Sequence, residues 1–117
     1  MIPQNVARDL VDDSLSYQDF LAQHGSPGDI KHWSDANESC SLSHAQADLL
    51  SSFSRQLHVI CIAGAWCGDC VRQGPILNHI ASASDQINLV FIDRDALAEE
   101  FKAIWTVCGG LRVPQVL

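Results

Sequence analysis

Long apolar runs, basic clusters and internal repeats are what this chain of 117 residues does without. No stretch approaches the roughly 20 apolar residues of a membrane-spanning helix, so no membrane partner is expected. Lys and Arg number 7 against 14 Asp and Glu, a net charge of −7, and no basic stripe is available to neutralise phosphates. That excludes nucleic acid as a partner. The opening from Met1 to Asp13 lacks the basic start and apolar centre of a secretion signal. Cysteine is present but mostly unpaired. There are five, an odd number, and only Cys67 and Cys70 stand at motif spacing. A disulfide framework is therefore not expected, and a reducing compartment, the cytoplasm, is. With 47 % of its residues apolar, the chain can bury one modest core without covalent staples. No low-complexity tract occurs.

What is there centres on Ala63-Gly-Ala-Trp-Cys-Gly-Asp-Cys70. Two thiols three residues apart can close into a small disulfide ring and reopen with little backbone motion. A helix starting at Cys67 would favour its thiolate, the attacking form, through unsatisfied N–H groups and the macrodipole. A lone CxxC can also be half of a metal site, but no second CxxC exists to complete it, and no metal is expected. The flanks point elsewhere. Leu57 to Ala63 is short, β-branched and almost continuously apolar, as a buried parallel strand is. Val71 to Ala81 has Ile76, Leu77 and Ile80 at helical spacing, with Pro75 inside the pattern as a kink. Ile87 to Asp93 reads as a second buried strand. Ala96 to Trp105 sets Leu97, Phe101, Ile104 and Trp105 on one helix face. A Gly109-Gly110 break and Leu111 to Leu117, with Pro114 at a strand start, complete a βαβα order and an α/β layer fold.

With these elements in place the chain resembles the thioredoxin superfamily over roughly residues 44 to 117. Trp66-Cys67-Gly68-Asp69-Cys70 is similar to that family's Trp-Cys-x-x-Cys active site. Pro75 falls where the family kinks its active-site helix, Phe91-Ile-Asp93 resembles the ending of its next strand, and Val113-Pro114 its cis-proline dipeptide. The resemblance implies a three-layer α/β/α fold and a thiol–disulfide oxidoreductase. Cys67 would attack a substrate disulfide and Cys70 would resolve the mixed disulfide. Trp66, Val113 and Pro114 would form the docking surface, with Gly68, Asp69 and Pro75 in support. Its substrates would be protein or small-molecule disulfides, and electrons would come from an external reductase or thiol, with no metal or organic cofactor. The reading from another class is a non-catalytic interaction module using its CxxC as a redox sensor.

Two departures from the family stand out. A buried Asp often sits six residues before the first cysteine and assists deprotonation of the second; here that position is Cys61. Proton transfer from Cys70 would then run through water or Asp69. The dipeptide between the thiols is Gly-Asp, and its carboxylate opposes a thiolate by like charge and favours the disulfide, which points to a reductant. The resemblance also implies a hairpin strand and a helix after Pro114, whereas the sequence stops at Leu117. A fragment with an unpaired edge at residues 114 to 117 is expected from this, able to self-associate through that edge. The alternative is that amino-terminal helices cover the bare face.

Residues 1–42 read as a helical extension or lid, and 43–117 as the thioredoxin-like domain. Ser16 and Asp19 cap a short helix through Phe20 and Leu21, ending at the break from Gly25 to Gly28. Residues 29–42 look like a polar connecting segment. Ser43 and Gln46 form a capping box for a helix whose core face is Leu49, Leu50 and Phe53. No convincing first strand is seen. His24, His32, His44, His58 and His79 are scattered and read as ordinary surface or core histidines. Cys61 reads as a small inert hydrophobe, Cys40 as an exposed loop thiol, and Cys108 as a loop thiol that could approach the active site. Trp33 and Trp105 read as packing residues. Asp93, Asp95, Glu99 and Glu100 read as a helix start plus a solvated face.

Overall fold

A computed structural model of the chain describes residues 12–97, 99–104, 106 and 112–117. Two seven-residue strands, β1 (Leu57–Ala63) and β2 (Ile87–Asp93), lie parallel and in register from Leu57 beside Ile87 to Ala63 beside Asp93. The short β3 (Gln115–Val116) pairs antiparallel with the other side of β1, giving the order β2-β1-β3. A parallel pair needs a crossover. Here it is α4 (Gly68–Ser82).

Strand side chains alternate faces, so β1 and β2 divide the core in two. Cys61, Ala63 and Phe91 face one side and pack with Phe20, Leu21, Trp33, Ala65 and Cys70. Ile60, Ile62 and Ile92 face the other and pack with Leu97 and Phe101. On the first side lie α1 (Tyr17–His24), α2 (Pro27–Ser39) and α4; on the second lies Phe101 of α5 (Glu99–Ile104). The layers are α/β/α, and burial on both faces explains why the strands read as continuous apolar runs. Helix α3 (His44–Ser51) sits outside both clusters. Among the described residues no helix is long and apolar enough to cross a membrane.

Several sequence expectations hold. Ser16 accepts from the Asp19 amide and caps α1, Ser43 and Gln46 form their capping box, and Asp93 accepts from the Asp95 amide at the start of a 3-10 turn (Arg94–Ala96). Among the described residues no strand precedes β1, and Leu15 forms an isolated antiparallel bridge with Phe91 through hydrogen bonds of 2.8 and 2.7 Å. The chain then turns into α1.

Other expectations are corrected. The connecting segment at 29–42 is largely helix α2, opened by Ser26 and Asp29 in a capping box with Pro27 in the first turn. The break between helices shrinks to Gly25 and Ser26. Cys40, expected in an exposed loop, ends α2 half-buried, and its thiol donates to the Asn37 carbonyl. Helix α3 buries nothing: Leu49 is 65 % exposed, and Phe53 is exposed too. Ile76, expected on the inner face of α4, is exposed; the buried residues are Cys70, Gly74 and Pro75, with Leu77 against the core. The helix runs through Pro75. After β2, Leu97 and Phe101 reach the core as expected, but the 3-10 turn comes first and α5 begins only at Glu99. Expectations for Trp105, Cys108 and the Gly109-Gly110 break concern residues outside those described.

Gly74 explains the rotation of α4. A Cβ there would run into the six-membered ring of Trp33, so Trp33 of α2 packs directly over the smallest residue in α4. Apolar counting cannot see a contact face built on glycine.

Candidate active site

The site forms where β1 ends and α4 begins. After Ala63 the chain turns through Gly64, Ala65 and Trp66, closed by a 3.0 Å bond from the Cys67 amide to the Gly64 carbonyl. The turn is held from behind: the buried Trp33 indole N–H donates to the Ala65 carbonyl at 2.8 Å. Sequence reading gave Trp33 only a packing role, and no local signal links a residue in a polar helix to this turn 32 positions away.

Cys67 is the N-cap of α4, with extended backbone and no side chain satisfying the first-turn amides. Its half-exposed thiol therefore stands at the positive end of a helix dipole. Across from it lies the Val113–Pro114 peptide, which is cis as expected. The Cys67 thiol donates to the Val113 carbonyl oxygen at 3.8 Å. Val113 also packs against both core clusters. Residues 46 apart in sequence thus meet at one surface.

Cys70, one turn into α4, is 1 % exposed. Burial pushes its thiol up to about 12; a backbone hydrogen bond from Gly64 opposes the rise, while the neighbouring Cys67 and Cys61 add to it. Cys61 in β1 is also 1 % exposed, and burial lifts it to about 12 as well. One accessible thiol at a helix start above a second, enclosed and protonated thiol can perform nucleophilic attack followed by internal resolution.

Trp66 forms the rim and is 52 % exposed. Its indole folds back over Gly64, where a Cβ would come within 2.7 Å of the ring. The Arg94 guanidinium lies over the ring, 4.7 Å from its centroid, a cation–π contact. Arg94 was not singled out from sequence, because only the adjacency of the ends of β1 and β2 brings the two together. The exposed Asp69 carboxylate pairs with Arg72 at 3.7 Å. Pro75 is buried in α4. Among the described residues no group of three or more His, Cys, Asp or Glu is placed to hold a metal ion.

The family model described as Thioredoxin matches residues 14–117. The chain belongs to the thioredoxin family. The match takes in α1 and α2, whose Phe20, Leu21 and Trp33 share a core with β1 and α4. A crystal structure of a Pseudomonas aeruginosa protein of unknown function superposes with a TM-score of 0.80 at 19 % identity, covering 100 % of this chain and 69 % of that one. An HIV epitope-scaffold superposes with a TM-score of 0.79, also at 19 % identity, covering 94 % of this chain and 67 % of the scaffold. At that identity the likeness carries the fold alone. No curated protein matches the chain.

Proposed function

We propose that this thioredoxin-family chain is a thiol–disulfide oxidoreductase working as a disulfide reductant. The observation that carries the reading is the half-exposed Cys67 thiol at the start of α4, facing the cis Val113–Pro114 peptide, with Cys70 enclosed one turn further in. Cys67 thiolate attacks one sulfur of a substrate disulfide. The substrate's S–S bond breaks, its leaving half departs as a thiolate, and a mixed disulfide forms on Cys67. Cys70 loses its proton and attacks the Cys67 sulfur, releasing the second half and closing the Cys67–Cys70 bridge. Trp66, Val113 and Pro114 form the docking lip, where an extended substrate lies along the Val113 backbone. Gly68, Asp69 and Pro75 support the lip and the helix. An external reductase or small thiol reopens the bridge, which suits a cytoplasmic setting. Residues 43–117 carry the thiol chemistry, and the helices of residues 1–42 close the core behind it.

A disulfide-reduction assay with a protein substrate and excess thiol as electron donor tests this. Wild type should accelerate reduction, Cys67→Ser should fall to the uncatalysed rate, and Cys70→Ser should stall as a mixed disulfide visible by mass. A wild-type chain no faster than the donor alone sinks the catalytic reading and leaves a redox-sensing module. Brief alkylation of the reduced protein gives a second check, with Cys67 labelled ahead of Cys40 and Cys61 resisting until the chain unfolds.

A further inference from the structure

Arg94 is the charged residue at the candidate site that the thiol scheme leaves unused. Ala63 ends β1 beside Asp93 of β2, so the Gly64–Trp66 turn and Arg94 leave the sheet side by side. The Trp66 indole fills the space that Gly64 leaves open, and the Arg94 guanidinium lies over its ring at 4.7 Å. A second arginine stands past the thiol: a Cβ at Gly68 would be 4.0 Å from the Arg72 amino group. Trp66 and Gly68, the residues immediately before and after Cys67, therefore each have a guanidinium against them. This gathering occurs in a chain with only 7 Lys and Arg against 14 Asp and Glu. Lys31 and Lys102, by contrast, are paired within α2 and α5. Each of the two guanidinium groups has an exposed carboxylate beside it, Asp95 at 3.3 Å from Arg94 Nε and Asp69 at 3.7 Å from Arg72. Exposed pairs of this kind are weak and yield to a better-placed partner.

We propose that Arg94 is a specificity-determining residue: it selects peptide disulfides whose attacked cysteine is flanked by Asp or Glu. The inference rests on the oxidoreductase reading and deepens it by naming the substrate class; the bonds made and broken are those already described. Trp66, Val113 and Pro114 carry no charge, so by themselves they hold an extended segment without sorting its side chains by sign. A guanidinium presents five N–H donors in a fixed fork that fits a carboxylate. Asp95 engages Arg94 through Nε, and the two amino groups at the tip carry the other four donors. The side chain is only 32 % exposed and already held by a ring and a carboxylate, so it loses little freedom when substrate binds. Arg72, beside Gly68, adds charge of the same sign. The net charge of −7 acts the other way at long range and repels acidic partners at large. Together the two effects discriminate: a carboxylate is favoured only where it lies close to the substrate sulfur.

The test oxidises the full, reduced chain with two symmetrical disulfides of a short cysteine peptide, one with glutamates on both sides of the cysteine and one with glutamines. Acid quenching and mass analysis give the second-order rate for each. A variant is scored by its change on both peptides, so their intrinsic reactivities cancel. Arg94→Gln should slow the glutamate peptide by about fivefold to tenfold and the glutamine peptide by less than about twofold. Arg94→Lys, which keeps the charge without the fork, should recover part of the loss. The gap between wild type and Arg94→Gln on the glutamate peptide should narrow at about 0.5 M salt. Equal slowing of both peptides would make Arg94 a support for the Trp66 ring alone and overturn the proposal, and so would no change in either. If Arg94→Gln does not fold, Arg94→Lys carries the same test, and equal slowing of both peptides by it overturns the proposal. A wild-type chain that neither peptide oxidises faster than it oxidises Cys67→Ser would instead overturn the oxidoreductase reading itself.

Discussion

Helices α2 and α3 invite comparison because their sequences promise the opposite of what they do. Helix α3 opens on a capping box and offers Leu49 and Leu50, with Phe53 just beyond, yet it buries no residue. Helix α2 is mostly polar, with Ile30 and Trp33 its only large apolar residues, and Ile30 is exposed. Trp33 alone is 0 % exposed, set into the gap at Gly74 and bonded to Ala65. The number of apolar residues on a helix face does not decide burial; a complementary slot on a neighbour does.

The largest effect expected from this contrast is at Trp33. Trp33→Ala empties a fully buried site and strips the Ala65 carbonyl of its donor, for a loss of about 3–5 kcal/mol by denaturant titration. Less than about 1 kcal/mol would end the comparison. The turn carrying Trp66 and Cys67 should loosen with it, raising KM for a protein disulfide.

Alkaline pH probes the core that α2 closes. Cys61 and Cys70 ionise near 9 when unfolded and are pushed up to about 12 when folded. Their contribution is complete below pH 9 and is lost as pH rises from 9 toward 12, because the unfolded chain releases these protons first. Tyr17, also raised to about 12, adds to the fall at its upper end. Between pH 9 and 10 the loss is about 1 kcal/mol per thiol, about 2 for the pair. Cys61→Ala should halve it, and Trp33→Ala should make it shallower by admitting water. A stability curve flat to pH 10 would show the thiols are not dry.

Gly74→Ala sharpens the point further. On a free helix surface this change stabilises by about 1 kcal/mol. Here the new Cβ meets the Trp33 ring, and overpacking costs about 1–3 kcal/mol. A net loss on the order of 1 kcal/mol is expected, and a gain would mean that α2 and α4 are not in close contact. The smallest effect belongs to α3: Leu49→Ala should change stability by less than about 0.5 kcal/mol, and a loss above about 1 would show that its apolar face has a partner after all.

Much of the candidate site was legible before any tertiary contact was known. The apolar run ending at Ala63, the two thiols and the helical spacing after Cys70 are all local, and strand and helix periods are local properties of the backbone. Val113-Pro114 was legible only through family resemblance, since nothing in the dipeptide says that its carbonyl faces a thiol 46 residues away. Helix α2 was not legible because one tryptophan leaves no periodic trace. The inner face of α4 is hidden in the sequence because glycine carries no apolar signal, whereas the exposed Ile76 does.

The sequence by itself determined the strand–thiol–helix unit, the parallel pairing of two apolar strands and the placing of Cys67 at a helix start, because each follows from side-chain period, helix capping and backbone dipoles within a few residues. Only the tertiary structure decided that Trp33 would hold the candidate-site turn, that Arg94 would lie over Trp66, that α3 would be left outside, and that Cys70 would be enclosed in one core cluster with Cys61. Those outcomes depend on shape fit and desolvation between segments far apart in the chain, which no local pattern encodes.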